Sequence, residues 1–369
     1  MSVPFCKYFG ECGGCSLQHV DYPTQLANKK KALASAIKFD DIKVFSGKES
    51  HYRNRMDAVF HPSGLGFRRK GTWDKVMDIE RCEISDERLN GLFKEIQKSF
   101  AHVDAFDLRK HTGTFRYAVV RTASSGSSIS FVLNSDSPRV AEAIERIRKF
   151  AETTSAENVV VAYVPSQTDV SLSDEYFVVK GGDTLKENYL GKEFTYSVQG
   201  FFQNNHEMAE RMHGYVHELL KSHDTKHATL LDLYGGVGTF GINNADLFKR
   251  VAIVESAQSC IDSANVNAKA NSIANTEALV LDARYLKKLD LPKPLYVITD
   301  PPRQGMHPKT IEQLNLLRPK TIIYISCSIE QLGKDIPKFK NYALRSAAMF
   351  DLFPQTPHVE AVAELVLQE

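Results

Sequence analysis

Short apolar segments alternate with segments of helical periodicity through the second half of the chain, and this alternation restricts the fold more than any other feature. Runs rich in β-branched and aromatic residues predict strands at 228–234, 250–255, 277–281, 294–299 and 320–326. Helices are predicted between and after them at about 238–248, 258–271, 284–288, 308–316 and 329–336. Such alternation forms a parallel sheet with helices on both faces. We therefore predict an α/β, Rossmann-like domain over residues 191–369, with strands 343–350 and 359–367 as an antiparallel hairpin at the sheet edge.

The first half of the chain has a different pattern. A helix is predicted over 22–38, where Asp21 can cap the N-terminus, and the basic run 29–31 is expected to be mostly solvent-exposed. From about residue 50, short strands and turns follow, with a further helix at about 137–151. This pattern predicts an α+β domain with an antiparallel sheet over residues 1–190. Helix 22–38 is a candidate to pack on the second domain instead.

The overall charge restricts the kinds of partner. Net charge is +1, so any nucleic-acid surface must be a local patch. Arg53, Arg55 and the basic segment 68–70 are interleaved with aromatic residues, which suits phosphates and unpaired bases. The alternative is a half-exposed sheet face. No apolar run is long enough to span a bilayer, and the N-terminus lacks a signal-peptide pattern, so we expect a cytoplasmic protein without a membrane partner.

The cysteines are unevenly placed. Cys6, Cys12 and Cys15 lie within the first fifteen residues, and Cys82 stands alone. In a reducing compartment, three clustered cysteines with a distant fourth indicate metal ligation rather than disulfides. Four thiolates suit either zinc or an iron–sulfur cluster. The spacing lacks the paired C-x2-C knuckles of a zinc ribbon, which favours the cluster.

A glycine-rich turn follows the first predicted strand of the second domain. It contains Asp232, Tyr234, Gly235, Gly236 and Gly238, and its glycines let a ligand approach the backbone closely. The turn differs from the dinucleotide-binding fingerprint and lacks the lysine of a P-loop. The next two strands end in further acidic residues. Glu255 is suited to ribose hydroxyls, and Asp282 lies beside the expected adenine. This arrangement is typical of S-adenosylmethionine methyltransferases, and a NAD or nucleotide-sugar enzyme is the alternative.

Cys327 directly follows strand 320–326, which places its thiol at the carboxyl end of the sheet, where ligands bind. Asp300-Pro-Pro-Arg303 ends the neighbouring strand, and the prolines stiffen this loop. A carboxylate at Asp300 can accept the N3 hydrogen of uracil, which neutral cytosine lacks. We interpret Cys327 as a nucleophile, and a buried structural cysteine is the alternative.

Motifs from end to end of the chain resemble those of the RNA 5-methyluridine (uracil-C5) methyltransferase family, whose members act on ribosomal and transfer RNA. In family order they are Cys6-x5-Cys12-x2-Cys15 with Cys82, Tyr52-Arg-Asn-Arg55, Phe201-Phe-Gln-Asn204, the turn 232–238, Asp300-Pro-Pro-Arg-Gln-Gly305, Tyr324-Ile-Ser-Cys327 and His358-Val-Glu360. The resemblance implies a [4Fe–4S] cluster on the four cysteines, S-adenosylmethionine as methyl donor and a flipped uridine as substrate.

The same resemblance bears on the target. Many members begin with a β-barrel, whereas this chain starts at the cluster motif and so is most similar to the short ribosomal RNA enzymes. We therefore expect 23S rRNA as the substrate, with tRNA as the alternative, and a monomer that does not act on DNA.

The resemblance also implies roles for individual residues. The Cys327 thiolate would add to C6 of uracil, and Glu360 would remove the C5 proton. Gln203 and Asp300 would hold the edge of the base while Phe201 stacks on it, and Arg53 and Arg55 would contact RNA. The donor would be bound by Gln203, Asp232, Tyr234, Gly235, Gly236, Gly238, Glu255, Asp282 and Asp300.

Three other interpretations are weaker. A cytosine-5 RNA methyltransferase would carry a cysteine in the Asp300 loop, which this chain lacks. A small-molecule methyltransferase would not need the basic, aromatic first domain. An RNA-binding module with an inactive methyltransferase fold is disfavoured because Cys327 and Glu360 are both present.

Overall fold

The computed structural model describes residues 2–368, which contain eight α-helices and seventeen β-strands. The helices are α1 Tyr22–Ile37, α2 Glu87–Ser99, α3 Val140–Thr153, α4 His206–Lys221, α5 Thr239–Asn243, α6 Gln258–Ala270, α7 Pro308–Leu317 and α8 Ile329–Asp335. The strands are β1 Ile42–Phe45, β2 Arg55–His61, β3 Gly64–Arg68, β4 Val76–Asp78, β5 Phe115–Ala123, β6 Gly126–Asn134, β7 Asn158–Val164, β8 Tyr176–Lys180, β9 Thr184–Tyr189, β10 Lys192–Ser197, β11 Thr229–Leu233, β12 Arg250–Glu255, β13 Thr276–Val280, β14 Leu295–Thr299, β15 Thr321–Ser326, β16 Tyr342–Phe350 and β17 Glu360–Leu367. The predicted mixed α/β class is confirmed.

Contacts group the chain into two compact units. The first comprises Met1–Asp21, Lys48–Glu187 and Tyr196–His206, and the second comprises Tyr22–Gly47, Asn188–Thr195 and Glu207–Glu369. Helix α1 therefore groups with the second unit. The domain boundary at residues 190 and 191 stays a prediction. No helix among residues 2–368 combines the length and hydrophobicity that crossing a bilayer requires.

The second unit contains an eight-stranded sheet in the order β1-β16-β17-β15-β14-β11-β12-β13. The five strands from β15 to β13 run parallel to their neighbours, whereas β17 is antiparallel to both β15 and β16. The predicted antiparallel hairpin is confirmed as β16 and β17. Its predicted position at the sheet edge is wrong, because β1 pairs with β16 and lies outside it. The four residues of β1 are too few to give a periodic signal in the sequence.

Burial of the central strands explains their sequences. Every residue of β11, β14 and β15 is buried, as expected for parallel strands covered on both faces. Helix α1 adds Leu33 and Ile37 to this core. Gln25, Lys29, Leu33 and Ile37 recur every fourth residue, so they share the buried face of α1. The expectation that Lys29 is exposed is therefore wrong, since it is only 4% exposed.

The first unit is built on a seven-stranded sheet in the order β4-β3-β2-β5-β6-β7-β8. Its strands are antiparallel except for the pair β6 and β7, which α3 connects in parallel. A core rich in phenylalanine, including Phe60, Phe93, Phe100 and Phe131, packs between this sheet and helices α2 and α3. Helix α2 is capped by Asp86, whose carboxylate accepts a hydrogen bond of 2.6 Å from the backbone N–H of Leu89.

Candidate active site

Cys327 lies between the buried strand β15 and helix α8. The Ser326 hydroxyl donates to the Ser328 carbonyl at 3.0 Å and accepts from the Ser328 backbone N–H at 3.1 Å, so the two hydrogen bonds enclose Cys327. The Ser328 hydroxyl caps α8 by accepting from the Gln331 N–H at 3.4 Å. The thiol itself is partly buried. The nucleophile proposed from sequence therefore sits on a short, well-bonded connection at the carboxyl end of its strand.

Glu360 lies opposite Cys327. Strands β15 and β17 are antiparallel with Ser326 paired to Ala361, so Cys327 and Glu360 are the next residues in this register. Glu360 is 3% exposed, and burial raises its pKa well above the usual range, with a further upward effect from Asp300. Burial also raises the pKa of the Cys327 thiol, and the charges of Glu360 and Asp300 raise it further. The three acidic groups thus share one electrostatic environment.

Arg303 opposes this effect. Its side chain lies near the Cys327 thiol, and its polar group and its charge both act to lower the thiol pKa. It also acts to lower the pKa of Glu360. A cation beside a thiol favours the reactive thiolate. The sequence analysis named Arg303 as part of the Asp300 loop but gave it no role. The sequence signal that could have identified it is its place directly after Asp300-Pro301-Pro302, in the same loop as a predicted site residue.

Asp335 fixes the loop that carries Arg303. This carboxylate is fully buried and accepts hydrogen bonds from the Tyr324 hydroxyl at 2.7 Å, the Gln331 amide at 2.9 Å and the Met306 N–H at 3.3 Å. At Gly305, φ is 77° and a Cβ would lie 2.4 Å from Asp335 Oδ2, so the loop requires glycine there. The loop is therefore held against both β15 and α8. Sequence reasoning missed Asp335 because nothing local marks it.

A cavity of about 480 Å³ lies at the carboxyl ends of the parallel strands. Tyr234, Glu255 and Asp282, three of the predicted donor-binding residues, line it together with Pro302 and the segments 281–284 and 304–308. Its volume falls within the usual range for a small-molecule site. The structure thus brings these three predicted residues together around one space.

The glycine turn forms beside the buried Asp232. Its carboxylate accepts a 2.7 Å hydrogen bond from the Gly241 N–H, and burial raises its pKa to about 7. The pKa of Asp300 is also raised to about 7, mainly because the carboxyl is buried and to a smaller extent because of the charge of Asp232. Tyr234, Gly236 and Gly238 have positive φ, which turns the backbone sharply here. Gly235 lies on the same turn, and its N–H donates to the Val254 carbonyl at 3.1 Å.

The two outer acidic residues are held differently. Glu255 accepts hydrogen bonds from the backbone N–H and the hydroxyl of Ser256, at 2.6 and 2.9 Å. Asp282 accepts from the backbone N–H of Arg284 and pairs with its guanidinium at 2.6 Å, which lowers the Asp282 pKa to about 2. Both carboxylates therefore have fixed orientations at the cavity wall.

Four predicted substrate residues belong to the first unit. Phe201 is 70% exposed, and the Gln203 carbonyl accepts from the Asn54 side chain at 3.4 Å. Arg53 donates to the Arg55 carbonyl at 2.6 Å. Arg55 forms two hydrogen bonds with Asp57, at 2.6 and 2.7 Å, so much of its charge is balanced within the protein. Their roles toward RNA stay predictions.

The predicted cluster ligands also lie in the first unit, each partly buried. Burial raises the pKa of Cys15 to about 12, and the nearby charge of Cys82 adds to this effect. Burial also raises the pKa of Cys6 and Cys12, while the backbone of Tyr8 and Phe9 acts to lower the Cys6 pKa and that of Gly14 acts to lower the Cys12 pKa. Across residues 2–368, no group of three or more His, Cys, Asp or Glu side chains is arranged to hold a metal ion. The predicted [4Fe–4S] site is therefore not supported as a formed metal site, although the four thiols share one neighbourhood.

Comparison with known proteins identifies the family. The profile of the tRNA (uracil-5-)-methyltransferase family matches residues 21–368. The chain belongs to this family. Its activity is accordingly S-adenosylmethionine-dependent methylation of C5 of uracil in RNA.

Individual proteins that are similar to this chain support the same family assignment. The protein is 32% identical to the tRNA (uracil(54)-C(5))-methyltransferase of Pyrococcus abyssi over 98% of this chain and 86% of the relative. An uncharacterised RNA methyltransferase of Caldanaerobacter subterraneus is also 32% identical, over 98% of this chain and 84% of the relative. The crystal structure of the P. abyssi enzyme with S-adenosyl-L-homocysteine superposes with a TM-score of 0.79 at 28% identity, covering 96% of this chain and 86% of that one. These relatives give no support to the expected 23S rRNA target, and the tRNA alternative fits better.

Proposed function

We propose that the protein methylates C5 of the tRNA uridine that corresponds to uridine 54 in its Pyrococcus relatives. Support comes from the family membership and from the P. abyssi and P. furiosus enzymes, which are 32% and 30% identical to this chain. The observation that supports the chemistry is the strand register that brings Cys327 and Glu360 next to each other, with Arg303 near enough to lower the thiol pKa. This tRNA assignment replaces the expectation of 23S rRNA.

The first step makes C5 reactive. The Cys327 sulfur adds to C6 of the uracil as a thiolate, the form that Arg303 favours, and the electron pair of the C5–C6 double bond moves into an enolate at C5 and O4. An ionised Asp300 accepts the N3 hydrogen and fixes the ring. Gln203 and Phe201 are proposed to bind the base edge and face, and Arg53 and Arg55 to contact the RNA backbone.

The second step restores the aromatic ring. C5 takes the methyl group, Glu360 removes the proton from C5, and the C5–C6 double bond re-forms as the Cys327 sulfur leaves. A buried carboxylate with a raised pKa is a stronger base than one in water, which suits this proton transfer. Glu360 lies next to Cys327 in the strand register, so it can reach the atom adjacent to the sulfur-bearing carbon.

The cavity of about 480 Å³ is the proposed donor site. When bound, S-adenosylmethionine supplies an electrophilic methyl group. Glu255 would accept from the ribose hydroxyls, Asp282 would lie beside the adenine, and Tyr234 would form the wall between them. Asp232 would hold the glycine turn in shape through its bond to Gly241, so that Gly235, Gly236 and Gly238 leave the backbone open to the ligand. Asp300, which belongs to the same unit as the cavity, is proposed to complete this site.

The four cysteines are proposed to hold a [4Fe–4S] cluster that has a structural role. A cluster spreads its thiolate ligands further apart than a single metal ion does, and N–H groups directed at sulfur are common around such centres. The charge of Cys82 contributes to the raised pKa of Cys6, Cys12 and Cys15, so the four thiols lie in one neighbourhood, as the ligands of one cluster would. Iron and sulfide in a four-to-four ratio in anaerobically purified protein would support the cluster, and one zinc per chain would refute it.

A covalent trap tests the function. A tRNA transcript containing 5-fluorouridine has no C5 proton to lose, so it should form an adduct with the wild-type protein and S-adenosylmethionine that survives denaturation. Cys327→Ala should form none, and a transcript with cytidine at the target position should neither react nor be methylated. Methylation of 23S rRNA but not of tRNA in parallel assays would overturn the tRNA assignment while leaving the chemistry in place.

A further inference from the structure

The one tryptophan of the chain, Trp73, lies on the loop between β3 and β4 and is 59% exposed. Large aromatic side chains seldom remain this exposed without a binding role. The loop itself is well fixed: Gly13 N–H donates to the Arg68 carbonyl at 3.1 Å, and Lys70 N–H donates to the Glu11 carbonyl at 2.7 Å. Trp73 is therefore presented on an ordered segment of the first unit.

Positive charge surrounds this ring. Segments 68–75 and 107–111 contain six lysines and arginines against two aspartates, a net charge of +4, whereas the whole chain carries +1. The Arg109 guanidinium lies 5.9 Å from the centre of the Trp73 ring and pairs with Asp74 at 2.5 Å, and its side chain is 66% exposed. Lys110 is 76% exposed and lies 3.7 Å from Asp107, so both cations also face solvent. Such a concentration of cations around an aromatic face fits a polyanion with unpaired bases.

A cavity of about 340 Å³ has Arg109 and Asp74, the residue after Trp73, in its wall. Phe106 and the buried Arg116 also line it, with the guanidinium 4.0 Å from the Phe106 ring centre. Arg116 is 2% exposed and donates to two backbone carbonyls, yet its Nε–H has no hydrogen-bond partner among the described residues. A buried donor without a partner in a cavity wall is what a bound polar group would satisfy.

We propose that Trp73, Arg109, Lys110 and this cavity form a second nucleotide-binding site, which takes an unpaired nucleotide of the RNA substrate outside the reactive position. A base stacks on Trp73, its phosphates contact Arg109 and Lys110, and the cavity accepts the neighbouring unstacked base. This proposal rests on the proposed tRNA substrate. The second site goes beyond the proposed function because it predicts where on the first unit a part of that RNA binds.

Intrinsic fluorescence tests the site directly, because Trp73 is the protein's single tryptophan. Titration of the full-length protein with target tRNA should quench the emission, with the same midpoint as an independent filter-binding curve. Trp73→Ala should raise KM for tRNA about 5- to 150-fold, the range expected for loss of one stacked base, with little change in kcat. Trp73→Phe should recover part of this loss. Val178→Ala, which alters another exposed apolar residue of the first unit, should change neither KM nor kcat.

Three results would overturn the proposal. Unchanged fluorescence at saturating tRNA would show that no base stacks on the ring. An unchanged KM for Trp73→Ala would show that the contact contributes nothing, and in both cases normal methylation would leave the proposed function intact. If the protein neither bound nor methylated tRNA, the proposed function would fail, and the second site with it.

Discussion

Lys29→Met should strongly destabilise the second unit. The Lys29 ammonium donates to Asp351 at 2.6 Å and to the Phe353 carbonyl at 3.1 Å, and the two charged side chains are 3% and 0% exposed. One turn earlier, the Gln25 side-chain amide donates to the Gln355 side-chain oxygen at 2.9 Å, and the Gln355 backbone N–H donates to the Gln25 side-chain oxygen at 3.2 Å. Helix α1 thereby holds the segment 351–359, which leads directly into Glu360.

The magnitude follows from the burial of Asp351. Removing one partner of a buried ion pair costs about 3–5 kcal/mol, because the remaining charge has neither water nor a counterion. Asp351 already has one carboxylate oxygen, Oδ2, without a hydrogen-bond partner. For a unit of roughly 200 residues, this loss should lower Tm by roughly 6–20 °C. Thermal and urea unfolding of the full-length protein would measure it.

Two further variants isolate the cause. Lys31→Met changes an exposed lysine of the same helix and should leave Tm unchanged. Lys29→Met combined with Asp351→Leu removes both charges, and most of the lost stability should return. Because segment 351–359 positions Glu360, Lys29→Met should also accumulate the covalent RNA adduct during turnover. The reasoning is refuted if Lys29→Met unfolds like the wild type, or if the double variant is no more stable than the single one.

Three other predictions concern the proposed site. Arg303→Gln removes the group that lowers the thiol pKa, so the pH profile of adduct formation should move to higher pH; an unmoved profile would exclude this role. Asp300→Asn should abolish methylation yet stabilise the fold. The native Asp300 pKa of about 7 exceeds the ordinary 3.8, so wild-type stability falls as pH rises through that window, and urea unfolding should show the variant's advantage growing from pH 4 to pH 7. Glu255→Gln should weaken binding of S-adenosylhomocysteine about tenfold by calorimetry if the carboxylate holds the ribose, through loss of a charge-assisted hydrogen bond.

Local signals in the sequence account for what could be predicted. The parallel strands are fully buried runs of apolar residues, and the glycine turn and the Cys327 loop follow their ends, so pattern alone placed them. The features that were missed depend on partners far away in the chain. Lys29 is buried because Asp351 lies 322 residues later, and Asp335 is recognisable only once Tyr324 and Met306 surround it. The sequence around a lysine in the basic run 29–31 does not show that its partner lies in a distant part of the chain.

The electrostatics of the site couple its two chemical steps. The charges of Glu360 and Asp300 raise the Cys327 pKa, and the charge of Asp300 raises the Glu360 pKa, so ionising all three together is unfavourable beside the single Arg303 cation. While sulfur is a thiolate, Glu360 is favoured in its protonated form. Once sulfur has bonded to C6 it is neutral, and Glu360 can ionise and act as the base. Removing the Glu360 charge should therefore ease thiolate formation, so Glu360→Gln should form the adduct at least as fast as the wild type while failing to release it. Rapid-quench measurements of adduct formation at neutral pH test this, and slower formation in Glu360→Gln would show that Glu360 assists the first step instead.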